Sequence, residues 1–172
     1  IKTTVELIGN ITSQYAGQDD AEKLREYLKD FYAQGGKYVL LAGDETVLPF
    51  RYAYHSSTDE SVGPDRLQIS DLYFADMNGD WDSDGDNIWG ERIDDQADLT
   101  PELYVGRLPL NTVSEMNNYI EKLIAYETNP GNGDFSYLER TFFFCSDEMR
   151  DYVAGGQHQP IADAFPDYFD KD

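Results

Sequence analysis

The feature that most constrains the fold of this chain is the alternation of short apolar runs with amphipathic helical segments. Three such runs lie at 37–44, 103–108 and 140–145, and each is rich in aliphatic or aromatic residues. Apolar runs of this length are typical of parallel strands that are covered on both faces. The alternation therefore predicts an α/β fold with three layers, in which a mostly parallel sheet carries helices on both faces.

The clearest helix precedes the first apolar run. Asp19 followed by Glu22 has the spacing of an N-cap residue and its N3 partner. Gly35 and Gly36 then end the helix, because residues without Cβ adopt the left-handed conformation of a C-cap. The predicted apolar face consists of Leu24, Tyr27, Leu28, Phe31 and Tyr32.

A second capped helix follows the second apolar run. Thr112 and Glu115 form a capping box, and Pro130, Gly131 and Gly133 end the segment. The predicted apolar face consists of Met116, Ile120, Leu123 and Ile124.

Weaker patterns predict three further features of the chain. Residues 4–15 have helix-like apolar spacing, although their β-branched residues also suit a strand. Residues 52–54 could pair with 72–74, and residues 161–165 suggest a last helical turn. Residues 163–172 resemble the exit of a helix toward a strand that lies beyond the chain. Together with a first residue that is Ile rather than Met, this suggests part of a larger protein.

The charge of the chain excludes some classes of partner. Its 172 residues contain 13 Lys and Arg against 34 Asp and Glu, which gives a formal net charge of −21. We expect no nucleic acid partner, because phosphate contacts need local cations, and no apolar run reaches the roughly 20 residues of a membrane span. Aromatic residues make up 14% of the chain and supply enough apolar surface for a core. A single Cys excludes an internal disulfide.

The acidity is concentrated in residues 76–98, which we interpret as an acidic calcium-binding insertion loop. Within it, acids occupy loop positions 1, 3, 5 and 12, and Gly85 occupies position 6, where a calcium loop turns sharply. Asn87 at position 8 and the flanking strand-like segments depart from the EF-hand pattern, so we expect a free-standing loop. The predicted ligands are Asp80, Asp82, Asp84, Asp86 and Glu91.

Two other interpretations of the acidic loop stay open at this point. It could be a solvated acidic turn, or a second group of oxygens could supply another cation site, namely Asp76, Asn78, Asp94, Asp95 and Asp98. We expect any calcium to be structural, because a site saturated by protein oxygens offers no open position for chemistry.

The residues that could support catalysis are few. Cys145, His55 and His158 are the only thiol and imidazole side chains, and Cys145 follows three Phe in an apolar strand. A buried thiol has a raised pKa and is inert, so we do not assign a Cys145 dyad. Asp44, Asp71 and Arg107 lie at or near strand ends, where a structural ion pair is the more economical explanation.

Three stretches in this order resemble a known family. They are Tyr38–Asp44 with Leu48-Pro49, Ser70–Asp76 leading into the acidic loop, and Pro101–Pro109 leading into the helix that ends at Glu127. Together they are similar to the N-terminal part of the catalytic domain of gingipain-type cysteine peptidases of bacteria. The resemblance extends from about residue 20 to about residue 165.

The resemblance implies a caspase-like, Rossmann-like α/β subdomain with calcium sites, secretion across the bacterial envelope, and endopeptidase chemistry by a Cys–His dyad. In the family the dyad lies in a second subdomain, as a His-Gly motif and a Cys after later strands. No His-Gly pair exists here, since His55 precedes Ser56 and His158 precedes Gln159. No catalytic residue is therefore carried over.

We therefore expect residues 1–172 to form one α/β subdomain that is the N-terminal scaffold of a secreted cysteine endopeptidase. Its expected partners are the C-terminal catalytic subdomain of the same parent chain and the protein or peptide substrate. Alone it should be inactive. The alternative is a non-catalytic calcium-binding module of the same fold, used for interaction or adhesion.

Overall fold

The computed structural model describes residues 2–54, 67–141, 163–164 and 170–171. The chain forms two compact units, Ile1–Glu115 and Met116–Asp172. The fold is mixed α/β and contains a small parallel sheet in the first unit. Among the described residues, no helix combines the length and the apolar character needed to cross a bilayer.

The helices of the first unit are α1, Ile8–Gln14, and α2, Asp20–Ala33. The prediction for 4–15 is too long, because Leu7 is in an extended conformation at the N-cap of α1. Helix α2 begins as predicted, since the amide of Glu22 donates to Asp19 Oδ1 over 2.9 Å. The side chain of Glu22 accepts from the amide of Gln18 rather than from that of the N-cap residue.

The end of α2 is also as predicted. Gly35 has a φ of +89°, its amide donates to Tyr32 O, and the amide of Gly36 donates to Phe31 O. These two bonds form a Schellman motif, which satisfies carbonyls at the helix end. The buried face differs at one predicted position, because Tyr32 is exposed.

The parallel sheet consists of β1, Tyr38–Ala42, and β4, Tyr104–Leu108. Their register pairs Tyr38 with Tyr104 and Ala42 with Leu108, which confirms the predicted parallel arrangement. One face of this pair, with Tyr38, Leu40 and Tyr104, is exposed, so burial of both faces between helix layers stays a prediction. Because side chains alternate across a strand, the opposite face, with Val39, Leu41 and Val105, is the one that packs on the core.

A short antiparallel pair joins β2, Tyr52–Tyr54, to β3, Leu67–Ile69. The prediction that 52–54 pairs with 72–74 is therefore wrong. Asp71–Phe74 is a 3₁₀ helix, whose N-cap Ser70 accepts from the amide of Leu72. The helical turn places Tyr73 and Phe74 in the interior, where both are buried.

The core of the first unit lies where α1, α2, the 3₁₀ helix and one face of the parallel pair meet. Its buried residues include two from residues 76–98, Met77 and Trp81, so the acidic loop contributes side chains to the core. The cluster comprises Ile11, Ala21, Leu24, Leu28, Leu41, Ala53, Tyr73, Phe74, Met77, Trp81 and Leu103.

Helix α3, Val113–Thr128, begins at the end of the first unit and ends in the second. The predicted capping box is present, because Glu115 N donates to Thr112 Oγ1 and Thr112 N donates to Glu115 Oε2. No residue of α3 is buried. On its predicted apolar face Met116 is half-buried, and Ile120, Leu123 and Ile124 are exposed.

The second unit continues with 3₁₀ turns at Pro130–Gly133 and Ser136–Glu139. Strand β5, Arg140–Thr141, pairs in parallel with β6, Asp170–Lys171. A strand is thus present where we expected the chain to stop short of one. Residues 142–145 of the third apolar run, and most of the predicted last helical turn, lie outside the described residues. Asp163 and Ala164 are helical.

Candidate metal centre

The acidic segment is closed at its base by a backbone bridge. Asp80 and Gln96 form an antiparallel pair in which Asp80 N donates to Gln96 O over 3.2 Å and Gln96 N donates to Asp80 O over 2.9 Å. The 15 residues between them, 81–95, form the closed part of the acidic loop. Its shape therefore depends on hydrogen bonds within residues 80–96 and on a few anchors to the core.

The first anchor of the loop is Trp81, which is 3% exposed. Its indole N–H donates to Oδ2 of the fully buried Asp76 over 2.9 Å, and its ring packs edge-on against Tyr73. Asp76 Oδ1 accepts from the amide of Gly79 over 2.7 Å. A Cβ at Gly79 would overlap the Asp76 carboxylate, so glycine is required there.

The second anchor is Trp89, on the other side of the acidic turn. Its carbonyl accepts from the amide of Tyr54 over 2.8 Å, which attaches the loop to β2. The guanidinium of Arg51 lies 3.9 Å from the centre of its ring, a cation–π contact. Arg51 also binds both carboxylate oxygens of Asp19, at 2.8 and 2.9 Å. The loop is thus connected to the N-cap of α2.

Between the two anchors the chain turns through residues with positive φ. Gly85 has a φ of +77° and Asn87 one of +70°. Glycine adopts this conformation without steric cost, and Asn is among the residues that tolerate it best. The turn therefore occurs at the position where the calcium-loop spacing predicts it.

The turn brings three of the predicted ligands together. One carboxylate oxygen from each of Asp82, Asp84 and Asp86 lies within 4.8 Å of the others. In each residue Oδ1 accepts an amide hydrogen bond, from Asn87, Asp86 and Ile88 respectively, which orients the three carboxylates within the turn. Hard divalent cations prefer oxygen donors, and Ca²⁺ takes about six to eight of them, so three carboxylates would supply part of a site.

Asp80 and Glu91, the first and last predicted ligands, do not belong to that group of three. Asp80 Oδ1 accepts from the amide of Asp82 over 3.3 Å. Partial burial, followed by the negative charges of Asp86 and Asp94, raises the pKa of Glu91. Mutual repulsion of this kind is what a bound cation would relieve. The assignment of Asp80 and Glu91 as calcium ligands stays a prediction.

Four of the five side chains considered for a second cation site have other partners. Asp76 is buried against Trp81, and Asn78 Nδ2 donates to Glu102. Asp95 accepts three amide hydrogen bonds, from Ser83, Gly90 and Glu91. Asp98 Oδ1 accepts from the amide of Thr100. Asp94 is exposed.

The polar residues at the strand ends form structural contacts. Arg107 binds both oxygens of Asp71 at 2.8 Å and donates to the carbonyls of Gly43 and Pro49 at 3.0 Å. This is the structural ion pair that we expected. Asp44 accepts from Thr46 and from Asn111 Nδ2, which joins the loops after β1 and β4.

Two buried arginines were not identified from the sequence. Arg25 donates to the carbonyls of Tyr73, Asp76 and Gly79 at 2.6–2.9 Å, which holds the entry to the acidic loop against α2. Arg51 is 4% exposed. No local signal distinguishes these arginines from surface ones, because their hydrogen-bond partners are 22 to 54 residues away in the chain. His55, Cys145 and His158 lie outside the described residues.

The model for Peptidase family C25 matches residues 1–171, essentially the whole chain. The chain belongs to this peptidase family. No curated protein and no solved structure matches it significantly. Membership of family C25, the gingipain family, makes the chain a gingipain-like cysteine peptidase domain whose family acts on protein substrates.

Proposed function

We propose that residues 1–172 form the calcium-stabilised scaffold of a secreted C25 cysteine endopeptidase, with a caspase-like, three-layer catalytic domain. The observation that carries the calcium assignment is the convergence of Asp82, Asp84 and Asp86 around the turn at Gly85. Asp80 and Glu91 are proposed to complete the ligand set, since their positions 1 and 12 are those of a calcium loop.

The position of the loop supports a structural role for the ion. Trp81 belongs to the core cluster, and Trp89 stacks on Arg51, which binds Asp19 at the N-cap of α2. An ion that fixes the loop would therefore also restrain these contacts. A ligand that binds only the folded state at 100 times its dissociation constant adds about 2.7 kcal/mol of stability.

Calcium titration with a matched pair of variants tests this proposal. We expect Ca²⁺ at saturating concentration to raise the Tm by roughly 5–10 °C, given the usual 2–4 °C per kcal/mol for a chain of this size. Asp84→Asn should remove most of that increase, whereas Asp94→Asn, which removes the same charge from an exposed neighbour, should retain most of it. An unchanged Tm in Ca²⁺ and in chelator would refute the calcium site.

The catalytic dyad is proposed to come from chain outside these 172 residues. The sequence contains no His-Gly pair, and neither His is placed by the resemblance at the catalytic position. In the whole enzyme a thiolate would attack the scissile carbonyl, His would transfer the proton, and backbone amides would stabilise the oxyanion. The proposed partner of this chain is thus the second subdomain of the same parent, and the proposed location is outside the bacterial cell or on its surface.

Peptidase assays on the parent protein test the assignment. We expect thiol-dependent peptide cleavage that survives Cys145→Ala and disappears when the downstream Cys of the dyad is replaced. Loss of cleavage in Cys145→Ala, with the Tm unchanged, would place the nucleophile in this chain and overturn the proposal. A parent without a downstream dyad and without activity would instead favour the non-catalytic calcium module.

A further inference from the structure

Asp95 is a buried carboxylate that contacts both arms of the acidic loop. It is 9% exposed. Its Oδ1 accepts from the amide of Ser83 over 2.7 Å, on the arm that precedes the turn. Its Oδ2 accepts from the amides of Gly90 and Glu91 over 2.7 and 2.9 Å, on the arm that follows the turn.

These three bonds fix the separation of the two arms. Ser83 and Gly90 flank the residues that carry the carboxylates of Asp84 and Asp86, so holding both amides on one side chain limits how far the arms can open. Bonds between a charged acceptor and amides are about twice as strong as neutral ones. The chain between Glu91 and Asp95 is itself a turn, in which Asp95 N donates to Glu91 O over 3.1 Å.

The same bonds distinguish Asp95 from a ligand. Both of its oxygens face backbone amides, and it is absent from the group of converging carboxylates. Burial raises the pKa of Asp95, with the amide bonds of Ser83, Glu91 and Gly90 opposing that change. The contacts of Asp95 are therefore with the backbone of the loop and not with the carboxylates of Asp82, Asp84 and Asp86.

We propose that Asp95 is a positioning residue of the acidic loop. Its carboxylate closes residues 83–91 before any cation binds and thereby sets the affinity of Asp82, Asp84 and Asp86 for Ca²⁺. The part of this inference that concerns affinity rests on the proposed calcium site. The part that concerns loop closure does not, because the three bonds join Asp95 to backbone amides and involve none of the proposed ligands' carboxylates.

The chain offers a control that separates position from charge. Asp94→Asn removes one negative charge from the adjacent exposed residue, whereas Asp95→Asn removes the same charge and also replaces one acceptor oxygen by an NH₂ group. Asp95→Glu keeps the charge and lengthens the side chain by one methylene, which displaces the carboxylate from the three amides. If only charge matters, Asp95→Glu should bind Ca²⁺ as the wild type does.

The test combines calcium calorimetry with amide hydrogen exchange on the full chain. Residues that orient ligands typically change metal affinity by about 10–100-fold when replaced. We expect Asp95→Asn and Asp95→Glu each to weaken Ca²⁺ binding by at least about tenfold, and Asp94→Asn to weaken it by less than about threefold. Without Ca²⁺, exchange at Ser83, Gly90 and Glu91 should be faster in both Asp95 variants only.

The outcomes separate the two proposals. Equal weakening in the Asp94 and Asp95 variants, or wild-type binding in Asp95→Glu, would overturn the positioning role. Unchanged exchange at the three amides would overturn loop closure. If the wild type binds no Ca²⁺ while the Asp95 variants accelerate exchange, the calcium proposal fails and loop closure by Asp95 is supported. Should Asp95→Asn not fold, Asp95→Glu supplies both measurements.

Discussion

The contact between Asp19 and Arg51 leads to the most specific stability prediction. Asp19 performs two functions with one carboxylate, since Oδ1 accepts from the amide of Glu22 and both oxygens bind Arg51. Its side chain is 46% exposed, whereas that of Arg51 is 5% exposed and lies between the rings of Tyr73 and Trp89. Removing Asp19 therefore leaves a buried cation without its anion.

The expected magnitude has two components. Loss of an N-cap acceptor costs about 1 kcal/mol, and a buried ion pair that loses one partner typically costs about 3–5 kcal/mol. The second value is reduced here, because Asp19 is half exposed and Arg51 keeps its aromatic contacts. We expect Asp19→Ala to lower the free energy of unfolding by about 3–4 kcal/mol, and Asp19→Asn, which keeps a cap acceptor, by about 1 kcal/mol less.

Urea unfolding followed by tryptophan fluorescence measures these differences, with an unchanged m-value as the check for two-state behaviour. A double variant, Asp19→Ala with Arg51→Met, identifies the buried cation as the cause. Because an apolar side chain needs no counter-ion, the double variant should be more stable than Asp19→Ala alone. If the two single Asp19 variants each lose less than about 1 kcal/mol, or if the double variant is the least stable, the reasoning is refuted.

The same contact predicts a pH dependence. Partial burial raises the pKa of Asp19, but hydrogen bonds from Arg51 and Glu22 lower it by more. The pKa of Asp19 therefore lies below the ordinary value of 3.8. A carboxyl with a lowered folded-state pKa contributes stability above its unfolded pKa and loses it as the pH falls. The stability difference between wild type and Asp19→Asn should be complete above pH 3.8 and should shrink as the pH falls toward the lowered pKa.

Two further predictions concern packing, and both are measured by the free energy of unfolding in urea. Gly79→Ala should destabilise the protein by about 1–3 kcal/mol, because the new Cβ overlaps the carboxylate of the buried Asp76. The control Gly9→Ala, which has open space around the new Cβ, should be neutral or stabilising. Equal effects of the two substitutions would contradict this prediction. Leu28, which is 2% exposed, lies in the core, so Leu28→Ala should lower the free energy of unfolding by about 2–5 kcal/mol. Leu40 is 64% exposed, so Leu40→Ala should lower it by less than about 0.5 kcal/mol. Similar losses for the two variants would show that the assigned core is wrong.

The local elements of this protein could be predicted from the sequence because their signals lie within a few residues of one another. The cap at Asp19 acts on Glu22, the motif after Ala33 needs only Gly35 and Gly36, and Thr112 acts on Glu115. The acidic turn belongs to the same class. Spacing alone indicated the turn at Gly85, and three of the five predicted ligands converge there.

The family could also be predicted, because the order of three motifs was enough to suggest it and the family match covers residues 1–171. The N-terminal boundary of α1 and the identity of the strand that pairs with β2 could not be predicted from the sequence. In α1 the apolar spacing continues beyond the extended Leu7. For β2, two nearby segments had strand-like composition, and local propensity does not decide which of them pairs.

The tertiary structure alone determines which polar side chains are buried and which groups they bind. Nothing local in the sequence marks Arg25, Arg51, Asp76 and Asp95 as buried, and the acidic spacing does not predict the three backbone amides that Asp95 binds. The reason is physical. A cap or a turn is stabilised by neighbours that the chain always holds close, whereas the hydrogen-bond partners of Arg25 and Arg51 lie 22 to 54 residues away and meet them only when the core forms.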